Sequence, residues 1–315
     1  MKDMAQANEG KFQDPAVTAK GEPRATVALR GAETLWFNTG TLCNIECVNC
    51  YIASSPSNDA LVYISADEVR DYLDQIEERN WPVREIAFTG GEPFMNPQMI
   101  DITEASLERG YEVLILTNAM RPMMRKSVQN GLLRLRDAYP GKMTFRISVD
   151  HYRRDLHDAE RGEGAFDKTL IGMEWLRDNG FRMAVAGRSI FADSDADSRA
   201  GYAAFYAEHG FDIDAQDPGM TVLFPEMDEA VEVPEITTAC WDILGKSPDA
   251  VMCSSSRMVV KRKGAEKPAV LACTLLPYDA EFELGTTLAE AERDVALNHP
   301  HCAKFCVLGG ASCSA

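Results

Sequence analysis

Residues 41–52 read "TLCNIECVNCYI" and set Cys43, Cys47 and Cys50 three and then two residues apart. A structural zinc site draws four protein ligands, usually as two close pairs. Here the next histidine is His151 and the next cysteine is Cys240. Three thiolates suffice for a cluster of four irons that leaves one iron open, and an open iron can bind a small molecule directly. A zinc site or a redox-active cysteine loop is the other reading of the same spacing.

The neighbourhood of this stretch sets the fold. "TLWFN" (34–38) immediately upstream is an apolar run of strand length. It begins a series continued by "REIAFT" (84–89), "YEVLILT" (111–117), "TFRISV" (144–149), "FRMAVAG" (181–187) and "MTVLF" (220–224). Amphipathic helical stretches separate these runs. "SADEVRDYLDQIEERN" starts with Ser65 and Glu68 at capping-box spacing and carries Val69, Leu73 and Ile76 on one face. "FDKTLIGMEWLRDNG" repeats the pattern with Leu170, Met173 and Leu176 and stops at Gly180. Alternating strands and helices predict an α/β fold built on a parallel sheet. Six units predict a partial (β/α)6 TIM-type barrel over residues 34–235, and periodicity alone leaves a flat doubly wound sheet open. In both architectures chemistry gathers at the C-terminal ends of the strands, where the three-cysteine stretch lies.

The 315-residue chain carries 32 basic and 49 acidic side chains, a net charge of −17. Such a surface repels nucleic-acid backbones and anionic lipid, so neither nucleic acid nor membrane is an expected partner. No apolar run approaches the roughly 20 residues that span a bilayer, and the first 33 residues read as a polar, poorly ordered lead-in without a secretory signal. A cytoplasmic location is expected. Nine cysteines in a reducing compartment point to metal ligands, buried thiols or catalysis more than to disulfides. They fall into two groups, since none lies between Cys50 and Cys240.

The three-cysteine loop after a first strand resembles the signature of the radical SAM superfamily, in which the open iron of a [4Fe–4S] cluster is chelated by S-adenosylmethionine (SAM). A frequent variant has an aromatic residue just before the third cysteine; this chain has Asn49 there and Tyr51 after it. Gly90, Gly91, Glu92 and Pro93, in "FTGGEPFMNP" after the second strand, resemble the family's glycine-rich motif for the methionyl amino group. The resemblance further implies ribose contacts from Ser148 and Asp150, a carboxylate contact from Arg188, and polar rim residues Thr117 and Asn118. Leu223 and Phe224 are weighed as adenine neighbours or plain core. His151, Tyr152, Arg153 and Arg154 are candidate substrate contacts or a surface loop, and Asp150, His151, Tyr152 and Cys240 are the candidates for catalysis.

At the other end, "RMVVKRKG" and "KPAVLA" read as a hairpin around Gly264 that brings Cys253 and Cys273 to one end. Cys302 and Cys306 follow in "HCAKFC". This arrangement resembles the twitch or SPASM-like extension of radical SAM enzymes and implies one auxiliary [4Fe–4S] cluster in a module spanning 236–315. Cys313 competes for a ligand place, His299 and His301 are further candidates, and a four-thiolate zinc site is the alternative. The implied function is reductive SAM cleavage to a 5′-deoxyadenosyl radical that takes hydrogen from a substrate. A small metabolite is expected, with a peptide or protein next, and a low-potential donor such as flavodoxin or ferredoxin supplies the electron. The other class of function is a non-catalytic iron–sulfur or zinc protein that carries electrons or binds partners.

Overall fold

The structure is a computed structural model that describes residue 8, residues 10–225, residue 228 and residues 231–309. Its strands are β1 (Thr26–Val27), β2 (Thr34–Asn38), β3 (Glu85–Thr89), β4 (Glu112–Thr117), β5 (Met143–Ser148), β6 (Arg182–Arg188), β7 (Thr221–Phe224), β8 (Ser256–Val260), β9 (Ala269–Leu271), β10 (Glu283–Gly285) and β11 (Val295–Ala296). The helices are α1 (Ala66–Arg79), α2 (Met99–Glu108), α3 (Lys126–Ala138), α4 (Arg154–Arg161), α5 (Ala165–Asp178), α6 (Asp195–His209) and α7 (Cys240–Leu244).

The six strand candidates fall on β2 to β7, each within one residue. They pair in parallel in chain order, β2-β3-β4-β5-β6-β7. A doubly wound sheet reverses its strand order at a switch point, and this one does not. Unreversed order with crossovers of one hand places every helix on one face, so the sheet curls around its other face as a partial barrel. Burial on both faces explains why "TLWFN" reads as an unbroken apolar run: all five of its residues are buried.

Local signals start and stop the helices as the sequence predicts. The Ser65 side chain accepts from the Glu68 amide while the Glu68 side chain accepts from the Ser65 amide, and Asn80 ends α1 in the left-handed region. Val69, Leu73 and Ile76 are buried along its inner face. The α5 cap is Asn179, and Gly180 follows it with φ +71°. Long crossovers run through α1, α2, α3, α5 and α6; beyond β7 the next helix is the five-residue α7, so the sixth strand lacks a long helix of its own among the described residues.

The barrel stays open, with β2 and β7 apart, and the C-terminal residues occupy both edges. The predicted hairpin is β8–β9, and β8 pairs in parallel with β2, extending the sheet to β10-β9-β8-β2. At the other edge Phe305 stacks on Phe224 at the end of β7, with ring centroids 5.4 Å apart.

The N-terminal lead-in departs from expectation. Residues 10–33 form a clasp on the C-terminal residues: β1 pairs antiparallel with β11, and the fully buried Arg24 side chain is ion-paired to Glu235 at 2.6 Å. That guanidinium also donates to the carbonyls of Asp14, Val17 and Leu297. A polar composition hid this because one buried, fully bonded arginine does the anchoring. No described helix is long and apolar enough to cross a membrane.

Candidate functional site

The cysteine loop leaves β2 at Asn38 and is braced by the loop that follows β3. The Thr39 amide and hydroxyl both donate to the Thr89 carbonyl, Gly91 N–H donates to Gly40 at 2.9 Å, and Glu92 N–H donates to Leu42 at 3.2 Å. This contact is what demands the paired glycines. Gly90 has φ +138°, and a Cβ there would lie 2.5 Å from the Gly40 oxygen; a Cβ on Gly91 would lie 2.3 Å from the Leu42 oxygen. The glycines therefore admit the backbone of the cysteine loop before any ligand is considered.

Glu92 is turned inward. Its carboxylate accepts from the Phe94 and Asn118 amides and the Thr117 hydroxyl, tying the β3 loop to the β4 corner. Burial pushes it up to about 7, against the pull of those donors. Neither Glu92 nor Pro93 reaches the pocket wall.

That wall lines an open pocket at the C-terminal ends of the strands. Cys43, Cys47 and Cys50 line it, together with Gly90, Gly91, Asn118, Ser148, Asp150 and Arg188 from four successive strand ends. The thiols are all free, and each has its own electrostatic neighbour. The Asn118 side-chain nitrogen Nδ2 lies 3.9 Å from the Cys43 sulfur, Ser54 N–H donates to the Cys50 sulfur at 3.3 Å, and the Arg161 charge acts on Cys47. Burial pushes the Cys43 thiol up to about 12 and raises that of Cys47, with Arg161 opposing the rise. No three His, Cys, Asp or Glu side chains among the described residues converge as they would around a single metal ion.

Arg161, at the end of α4, was not singled out in the sequence. It forms a bidentate pair with Asp150, Nε to Oδ2 at 2.7 Å and Nη2 to Oδ1 at 3.0 Å, with both side chains largely buried. Burial opposes ionisation of Asp150, yet the Arg161 guanidinium holds its carboxyl below the usual range. Both oxygens of the neighbouring Glu160 carboxylate accept from the Asn49 side-chain amide nitrogen, and the Glu160 carbonyl accepts from Val48 N–H. Asn49, the residue that departs from the aromatic variant, thereby docks the cysteine loop on α4. Arg188 spends Nη1 on the Asn49 carbonyl at 2.8 Å, and its buried Nε and Nη2 have no partner.

Other candidates stand apart from the pocket. The His151 ring accepts from Arg153 N–H through Nδ1 and meets Asp193 through Nε2 at 3.0 Å, and the Tyr152 hydroxyl donates to the same carboxylate. Cys240 begins α7, with the Thr237 amide directed at its sulfur. None of the three lines the pocket, whereas Phe224 does.

In the C-terminal set, Cys253 and Cys302 are buried and Cys273 and Cys306 half-buried. Cys253 and Cys273 lie near enough to Cys302 to add to the effect of burial, which raises its thiol well above the ordinary value. Cys306 sits on the same π-helical segment, Cys302–Leu308. Burial likewise pushes Cys253 up to about 11, with Arg257 opposing. Cys313 lies outside the described residues. The module also reaches the first site: Leu275 lines the pocket and the Tyr278 hydroxyl donates to the Ile52 carbonyl at 2.7 Å.

A partial barrel with three thiols on the loop after its first strand, braced by a glycine pair one unit later, defines a class. Residues 37–190 match the Radical SAM superfamily, and the chain carries a radical SAM domain. That family is one of enzymes that use a [4Fe–4S] cluster and SAM.

The chain is similar to the antilisterial bacteriocin subtilosin biosynthesis protein AlbA of Bacillus subtilis (strain 168), 33% identical over 150 residues, 47% of this chain and 31% of that protein. It is also similar to the AdoMet-dependent heme synthase of Methanosarcina barkeri (strain Fusaro / DSM 804), 31% identical over 136 residues, 43% of this chain and 36% of the relative. The matched stretch thus spans about a third of the length of these curated relatives. In fold it is similar to Streptococcus suis SuiB bound to S-adenosylmethionine, with a TM-score of 0.59 at 13% identity, covering 81% of this chain and 63% of SuiB.

Proposed function

We propose that this chain is a radical SAM enzyme whose Cys43, Cys47 and Cys50 hold a [4Fe–4S] cluster and whose pocket binds SAM. The supporting observation is that the three free thiols share one wall with Arg188, whose buried Nε and Nη2 nitrogens are unpartnered. Those donors suit a carboxylate, and thiolates suit iron, so the residues fit both groups. When bound, the cluster and SAM supply reductive cleavage to methionine and a 5′-deoxyadenosyl radical that takes hydrogen from the substrate.

The chain's own residues hold the geometry. Gly90 and Gly91 fix the cysteine loop, Arg188 binds the methionyl carboxylate, and Ser148 offers a hydroxyl to the ribose. Asp150 already bonds Arg161 through both oxygens, so its first task is to keep that cation beside the thiols. Cys253, Cys273, Cys302 and Cys306 hold one auxiliary [4Fe–4S] cluster in this reading, supported by the electrostatic proximity of the first three.

The names of the relatives divide between bacteriocin biosynthesis and heme synthesis. A small metabolite and a peptide are accordingly two arms of one substrate screen. Anaerobic reconstitution followed by dithionite and SAM is expected to release 5′-deoxyadenosine. Bound iron and sulfide without that product would overturn the enzymatic reading.

A further inference from the structure

Ser54 is an unassigned polar group on the wall of the site. It lies four residues beyond Cys50, is 4% exposed, and lines the pocket with the three thiols. Its amide is committed to the Cys50 sulfur at 3.3 Å, but its Oγ is buried without a partner. The next residue makes the contrast, since Ser55 Oγ accepts from the Ser57 and Asn58 amides. A buried hydroxyl left unbonded destabilises a fold, and such groups point to a partner absent from the polypeptide.

The backbone holds this arrangement at a cost. Ala53 has φ +48°, the left-handed region that a non-glycine residue rarely adopts. Ala53 is fixed there by its amide donating to the Cys50 carbonyl at 2.9 Å and by the Asn58 side chain donating to its own carbonyl at 2.8 Å. The turn folds Ser54 back on Cys50. Covalent geometry keeps a serine Oγ within roughly 4 Å of its own amide nitrogen, so the hydroxyl is tethered within roughly 7 Å of that sulfur, which it does not itself bond.

We propose that the Ser54 hydroxyl is a positioning donor for the cluster, giving a hydrogen bond to sulfur at the Cys50 corner and raising the cluster's reduction potential. The inference rests on the reading that Cys43, Cys47 and Cys50 hold a [4Fe–4S] cluster. Hydrogen bonds to cluster sulfurs stabilise the reduced, more negative state. The Cys43 and Cys47 corners already have Asn118 and Arg161 nearby, whereas Cys50 has the Ser54 amide and this one unspent donor.

The test is a redox titration of the reconstituted full chain followed by electron paramagnetic resonance, with and without SAM. The relevant signal is the one missing from a C43A/C47A/C50A variant; if that variant loses no signal, the site reading itself fails. Ser54→Ala is expected to titrate at a lower potential, with the ratio of reduced to oxidised cluster at a fixed poise falling about fivefold. Ser54→Thr, which keeps the hydroxyl, should titrate with the wild type. The inference is overturned if Ser54→Ala carries the signal and titrates unchanged, or if Ser54→Thr shifts as far as alanine. A shift seen only with SAM present moves the partner to the nucleotide and also overturns it. Should Ser54→Ala bind no iron, retention by Ser54→Thr supports the donor, and loss in both assigns the side chain to packing.

Discussion

The two cysteine groups are built in opposite ways. Cys43, Cys47 and Cys50 come from one continuous loop on the wall of an open pocket, next to donors that the protein does not itself satisfy. Cys253, Cys273, Cys302 and Cys306 come from a turn before β8, the end of β9 and a distant π-helical segment, packed against the core of a module attached to both barrel edges. A ligand set that must present an open coordination place gains from a single loop on a pocket wall, while one assembled from distant segments links them. The first group is therefore expected to matter to chemistry more than to folding, and the second to both.

Replacing each group separately is the strongest way to break that contrast. C43A/C47A/C50A is expected to abolish 5′-deoxyadenosine formation, keep about four irons on the auxiliary cysteines, and melt near the wild-type temperature. C253A/C302A is expected to lose iron and also melt lower, since both side chains belong to the packed hydrophobic core and none of the first three does. Iron analysis, chromatography and a thermal melt read all three. Loss of all iron in the first variant, or equal destabilisation of both, would remove the distinction.

The brace behind the first group is the next largest effect. Arg161→Leu strands the buried Asp150 carboxylate, and breaking a buried pair this way costs about 3–5 kcal/mol. Urea unfolding should show that loss, and Arg161→Leu combined with Asp150→Asn should recover much of it. A single variant that unfolds with the wild type would mean that water reaches Asp150 freely.

Glu92 gives the site a pH signature. Its carboxyl titrates at about 7 in the folded chain, from an ordinary value of 4.5. The folded state thus holds its proton where the unfolded chain has released it, so this contribution to stability is full below about pH 4.5 and is lost as pH rises to about 7. The amount is about 3 kcal/mol. Glu92→Gln, whose single oxygen leaves either the Phe94 or the Asn118 amide without its acceptor, should start less stable and show a flatter profile over that window. Equal slopes by urea unfolding at several pH values would refute the assignment.

The legibility of this molecule follows how local each signal is. All six barrel strands were readable because each is a short apolar run closed by a turn, and the α1 cap was readable because Ser65 and Glu68 lie three residues apart. The cysteine spacing and the glycine pair were readable for the same reason. Arg161 was not, because its partner Asp150 is chosen by the turn between β5 and α4. A faint sign was present: α4 is nearly all polar, so whatever it buries must be polar, and it buries His157 and most of Arg161. The N-terminal clasp left no trace, since Arg24 and Glu235 are 211 residues apart. Phe224 reads as core in sequence yet serves twice, stacking on Phe305 and lining the pocket.

The finest test concerns one contact between the C-terminal module and the cysteine loop. Tyr278 lies five residues after Cys273, and its hydroxyl donates to the carbonyl of Ile52, two residues after Cys50. Tyr278→Phe removes that bond and the one the Asn58 side chain donates to the same hydroxyl at 3.3 Å, and should cost about 1–2 kcal/mol in global unfolding. Because the bond joins the module to the cysteine loop, the loss should be concentrated there: amide exchange at residues 50–54 should quicken while exchange in β3 and β4 stays unchanged. The Ser54 amide, bonded to the Cys50 sulfur, is the probe to follow. If its exchange is unaltered, the Tyr278 contact does not hold the loop, and the C-terminal module reaches the first site through Leu275 at the pocket wall and the Leu61–Arg262 bridge instead.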